Sequence, residues 1–167
     1  MDVATDICIL TNLAVVGRLD LLKVIPPYGF HLASEVRDEV ADLDQLAAVD
    51  QAMTAGHLYE VQLDQPGELE LYASFNATLG KGQSACLTLA KARGWAIATN
   101  HAKDPRWHNL ISCAGVAVIN TSGILLTAIR AGALTVAAAD EIKAKLEIRR
   151  FKMKFDSFAS LVQPARI

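Results

Sequence analysis

The sequence predicts an α/β fold, three-layer α/β/α with a mainly parallel central sheet. Three observations lead there. Short apolar segments rich in β-branched residues alternate with amphipathic ones along most of the 167 residues. The first apolar run, Val3 to Leu10, is nearly continuous, as in a parallel strand buried on both faces. Hydrophobic residues make up 52% and charged residues 20%, the balance of a globular chain with a sizeable core. No internal repeat, low-complexity stretch or long linker divides the chain, so one domain over residues 1–167 is expected.

Each element follows from local chemistry. Val3 to Leu10 reads as the first strand, interrupted only by Asp6. From Asn12 the pattern becomes helical: Leu13, Val16, Leu19 and Leu22 share a face, with Gly17 as a weak point. Pro26-Pro27-Tyr28-Gly29 breaks the chain before a brief strand at Phe30 to Ala33. Ser34 suits the N-cap of a helix from Glu35 to about Ala55, closed by Gly56. Leu58 to Leu63 alternates as a strand, and Pro66-Gly67 opens a short helix to about Asn76. Gly80-Lys81-Gly82 precedes an Ala- and Leu-rich helix that stops at Gly94. Trp95 to Thr99 is a strand, Asp104-Pro105 starts a helix, and Gly115 to Ile119 is a strand. Helices at about Thr121 to Ala131 and Ala137 to Leu146 follow, then the basic run from Arg149 to Lys154.

Charge and composition narrow the setting. A formal charge of -2 supplies no global polycation, so any nucleic acid must be held by a local basic patch. Cys8, Cys86 and Cys113 stand far apart among apolar neighbours, which predicts reduced core thiols and a cytoplasmic setting. The start lacks a basic, then apolar, leader pattern, and no apolar run is long enough for a bilayer. No membrane association is expected.

Asp6 is the first residue with chemical content. A carboxylate inside an apolar strand costs several kcal/mol, roughly, unless a cation or donors compensate it. In parallel α/β folds ligand sites lie at the carboxyl ends of strands, where Asp6 can point; its alternative is a hydrogen-bond acceptor for nearby backbone. Asn12 is either a helix cap or a substrate contact. Glu35 and Glu39 lie one turn apart beside the apolar Val36 and Val40, which puts Glu39 at the border of the buried face.

Taken in order, these segments resemble PIN-domain proteins. Asp6-Ile7-Cys8-Ile9-Leu10-Thr11-Asn12-Leu13 is similar to the family's opening strand and helix start, and Ser34 to Val40 to its acidic helix with Glu39 at the acid. Gly80-Lys81-Gly82-Gln83-Ser84-Ala85 resembles the start of its central helix, and Ile97-Ala98-Thr99-Asn100-His101 the strand that ordinarily ends in acids. Val118 to Leu126 and Arg150 to Met153 resemble its later segments, so the resemblance covers almost the whole chain. It implies a VapC-like, metal-dependent ribonuclease. Three or four carboxylates would hold Mg²⁺ or Mn²⁺ to position a water and stabilise charge on the scissile phosphate.

The sequence departs from that pattern where the chemistry is needed. Asp6 and Glu39 match acids, but Gln83 stands for a Glu, Asn100 for an Asp, and His101 for the acid after it. The amides keep carbonyl oxygens without charge, which should weaken Mg²⁺ or Mn²⁺ binding. The expected catalytic set is Asp6, Glu39, Asn100, Gln83 and Asp104, with Asp6, Glu39 and Asn100 as metal ligands. Asp104 is alternatively a cap before Pro105. Asn12, His101 and Lys103 are expected to contact substrate, although His101 and His108 also read as surface residues. Lys81, Arg93, Lys103 and Arg106 are expected around the site, and Trp95 and Trp107 in packing. The readings are a ribonuclease with weakened or lost activity, an inactive domain binding RNA or a protein, or a module bound by an antitoxin. Homo-oligomerisation is expected in addition.

Overall fold

A computed structural model describes residues 1–101 and 103–162. Its core is a five-stranded, all-parallel sheet in the order β3-β2-β1-β4-β5, so the α/β/α fold class holds. The strands are β1 (Asp2–Thr5), β2 (Gly29–Ala33), β3 (Tyr59–Val61), β4 (Ala96–Ala98) and β5 (Val118–Ile119). Ten helices are described: α1 (Ile7–Val15), α2 (Leu21–Val24), α3 (Ser34–Arg37), α4 (Leu43–Thr54), α5 (Glu68–Asn76), α6 (Lys81–Arg93), α7 (Pro105–Ala114), α8 (Thr121–Arg130), α9 (Val136–Ile148) and α10 (Ala159–Val162). One group packs around α6, which lies against β1 with α3 and α5 beside it. A second joins α1 to α4 and α8, with α8 also touching α2, α9 and α10. No described helix is long and apolar enough to cross a membrane.

Several expectations shift in detail. The first strand ends at Thr5, and the apolar run continues as α1 from Ile7. Ile9, Leu10 and Leu13 are all buried there, which fits helical spacing as well as a strand's continuous apolarity. Each contributes about 2 kcal/mol of burial. Gly17 is not a weak point inside a helix but its stop. At φ +67° it closes α1, while Arg18 N–H donates to Leu13 O at 2.8 Å and Gly17 N–H to Ala14 O at 2.9 Å.

The helix expected over residues 35–55 is two helices. Asp42 turns out of the helical path and its carboxylate accepts from Gln45 N–H at 2.9 Å, starting α4 afresh. Ser34 is the first residue of α3 rather than its cap, and its hydroxyl donates to Glu60 at 3.4 Å. The short α10 was not expected.

Candidate functional site

The sheet order creates the site. From β1 the chain moves outward through β2 to β3, then returns across to β4 and on to β5. The direction therefore reverses between β1 and β4, and the crevice beyond their carboxyl ends is a topological switch point. The register pairs Thr5 with Ala98, and Asp6 N–H donates to Ala98 O at 2.9 Å. Asp6 is thus held beside Thr99, Asn100 and His101.

Asp6 occupies the N-cap position of α1 in extended conformation, yet its side chain caps nothing. The carboxylate, 1% exposed, instead accepts from Thr99 Oγ1–H at 2.6 Å and from Cys8 Sγ–H at 3.1 Å, both at Oδ2. Asn100 N–H donates to Cys8 Sγ at 3.2 Å, and His101 N–H to Thr99 Oγ1 at 3.1 Å. Burial first, then the Asp6 carboxylate, push the Cys8 thiol up to about 12. It is protonated at neutral pH in this arrangement, consistent with its role as donor.

One ligand atom each from Asp6, Cys8 and His101 lies within 4.8 Å of the others, and this group can hold a metal ion. It is the only such cluster of three His, Cys, Asp or Glu side chains among the described residues. Cys8 was read as a core thiol, and the sequence carried a faint signal for more: Asp6 and Cys8 flank the strand-to-helix junction two residues apart. Cys86 is fully buried as expected, whereas Cys113 is exposed; none of the three is paired.

The other expected ligands are placed differently. Asn100 is engaged at both ends of its amide: Nδ2 donates to Thr121 Oγ1 at 2.9 Å, and Oδ1 accepts from Thr121 N–H at 3.0 Å. Glu39 Oε1 accepts from Gly82 N–H in the first turn of α6 at 2.7 Å, so the acid meets the positive end of that helix. Gly82 permits the approach, since a Cβ there would come 2.6 Å from Glu39 Oε2. Gln83 stands in the same first turn, half-buried. Glu35 has one carboxylate oxygen buried with no hydrogen-bond partner. Burial pushes the Cys86 thiol well up, and Asp6, Cys8, Glu39 and Glu35 add to it.

Asp104 is the N-cap of α7: it accepts from Arg106 N–H at 3.0 Å, with Pro105 in the first turn. That hydrogen bond holds its carboxyl below the usual range. Asn12 lies within α1, not at its cap, and donates to Thr121 Oγ1 at 3.2 Å. Lys103 lines a cleft of about 500 Å³ together with Asn100, Asn120, Phe151, Lys152 and Lys154. Arg93 belongs to the opposite end of α6, where it binds Glu68 and stacks over Trp95. Trp107 is buried in the core and Trp95 packs half-buried against it.

No family model matches the chain, and no curated protein matches it.

Proposed function

We propose that the chain is a PIN-like ribonuclease domain with weak, Mg²⁺- or Mn²⁺-dependent activity, anchored on Asp6. The observation that carries this reading is an acid, Asp6, 1% exposed at the switch point, with hydroxyl and thiol donors and, among the described residues, no cationic side chain bonded to it. A charge so placed is costly for stability and is the usual mark of a ligand-holding acid. The resemblance of motif order supplies the reaction class, and the lysine-lined cleft beside Asn100 supplies a path for an RNA strand.

The donor set fits a hard ion poorly. Of the expected trio, Glu39 already serves Gly82 N–H and Asn100 already serves Thr121. Only Asp6 and Glu39 bring charge, so weak affinity and slow turnover follow. A second reading, RNA binding without cleavage, is favoured by the reciprocal Asn100–Thr121 pair, which turns a catalytic position into a fastening.

Restoring acids separates the two. Asn100→Asp keeps the fastening: one oxygen still accepts from Thr121 N–H, and the Thr121 hydroxyl can donate to the other while accepting from Asn12. Gln83→Glu with Asn100→Asp is expected to tighten Mn²⁺ binding in calorimetry and raise cleavage of a fluorogenic single-stranded RNA. Asp6→Asn should abolish both. Metal-independent RNA binding with no cleavage in any variant would establish the binding-only reading.

A further inference from the structure

We propose that Asp6, Cys8 and His101 form a three-ligand site for a borderline divalent transition ion of the zinc class. The site shares Asp6 with the reading above but does not require that RNA be cut. Three kinds of observation meet here. The first is convergence: the three ligand atoms lie within 4.8 Å of one another, and Asp6 Oδ2 to Cys8 Sγ is already 3.1 Å. Thiolate, imidazole and carboxylate around one ion need approaches of this order, given metal–ligand bonds of about 2.0–2.3 Å. His101 is exposed and sits on the loop after β4, so its ring can close the remaining gap.

The second is the shell behind the ligands. Thr99 hydroxyl donates to Asp6 at 2.6 Å, and Asn100 N–H donates to Cys8 Sγ at 3.2 Å. Thr99 is fully buried, and its oxygen also accepts from His101 N–H. All three candidate ligands are thus tied to one short stretch of chain. Metal sites use such outer bonds to orient their ligands and tune sulfur.

The third is donor chemistry. Mg²⁺ takes oxygen ligands in a near-ideal octahedron, and one carboxylate with sulfur and nitrogen is a poor offer to it. Sulfur and imidazole favour zinc and its neighbours, and three protein ligands leave one tetrahedral position open. Because Asp6 serves both donor sets, a zinc-class ion and Mg²⁺ or Mn²⁺ compete for it.

Cobalt(II) titration of the full chain, stripped of metal and kept reduced, tests this. We expect one Co²⁺ per chain, with a sulfur-to-cobalt charge-transfer band and the intense visible bands of a four-coordinate ion. Zn²⁺ should displace it, and millimolar Mg²⁺ should not. Cys8→Ser should remove the charge-transfer band and His101→Ala should weaken binding, with both folds checked by circular dichroism. Thr99→Val should weaken binding by about 10- to 100-fold. Cys113→Ser and Glu39→Gln should leave the spectrum unchanged, since neither residue belongs to the Asp6–Cys8–His101 group. Absence of a sulfur band, its survival in Cys8→Ser, or displacement by Mg²⁺ overturns the proposal. Loss of RNA cleavage alone does not bear on it.

Discussion

Among the described residues two acidic side chains, Asp6 and Glu68, are buried, and their surroundings give them opposite tasks. Glu68 has no exposed side-chain surface and is fully bonded: it accepts from Arg93 Nε at 2.6 Å, Arg93 Nη2 at 2.9 Å and Gln65 N–H at 2.9 Å. Asp6 is as deeply buried but, among the described residues, its carboxylate accepts only from a hydroxyl and a thiol. Glu68→Gln should therefore destabilise the fold by about 1.5–3 kcal/mol at neutral pH, since it removes the buried one of Arg93's two carboxylate partners and leaves only Asp64. Asp6→Asn should be neutral or stabilise by about 1 kcal/mol in chelator, because it removes an unpaired buried charge. Urea unfolding of both variants checks the contrast; a large loss in Asp6→Asn would make Asp6 a structural acceptor. The Arg93 hydrogen bond, chiefly, holds the Glu68 carboxyl below its usual range. A depressed folded value means the stabilisation is complete above the ordinary glutamate range and is lost as pH falls through the folded value. The gap between wild type and Glu68→Gln should accordingly shrink on acidification, and a constant gap would exclude the ion pair as its source.

At the scale of elements, the junction of α3 and α6 couples an acid to a helix start. Glu39 holds Gly82 N–H at 2.7 Å, and the missing Cβ at residue 82 makes room for it. Gly82→Ala should gain about 0.5–1 kcal/mol of helix propensity and lose a charge-assisted hydrogen bond worth about 1.5–3 kcal/mol. In a Glu39→Gln background the second effect is smaller, so the same change should be less harmful or stabilising. A double-mutant cycle by thermal unfolding reads this coupling, and additive effects would show that Glu39 does not support α6. This contact explains what the sequence could disclose. Glu39 was expected on a helix face bordering the core, whereas it lies two residues past the end of α3 and is exposed. Its partner was not legible, because a long-range bond from a backbone N–H leaves no trace in residue type. The break before α4 was legible in principle: Asp42 followed three residues later by Gln45 is a cap signature. The periodicity on either side of it masked the interruption.

For the molecule as a whole, alternation of apolar and amphipathic segments was enough to read the parallel sheet, because each crossover helix leaves a periodic trace of its own. The strand order was not legible that way. It depends on which strands pair, and so did the meeting of Asp6 and Cys8 with His101, some ninety residues away. The same global view bears on RNA. With a formal charge of -2, the chain as a whole repels a polyanion weakly, so attraction must come from where lysines gather. Lys103, Lys152 and Lys154 line the cleft whose floor reaches Thr99 and Asn100. The alternation in Phe151-Lys152-Met153-Lys154-Phe155 sets exposed lysines between residues that pack inward, with Met153 buried. Such a strip offers the phosphates of a single strand a row of charge. Each phosphate neutralised contributes about 0.7 to the slope of log affinity against log salt for single strands. Changing Lys103, Lys152 and Lys154 to Gln should therefore flatten that slope by about 2 for a short single-stranded RNA, measured by fluorescence anisotropy. Thermal stability should hardly change, since Lys103, Lys152 and Lys154 are all exposed. An unaltered slope would mean that RNA, if bound at all, takes another route across the protein.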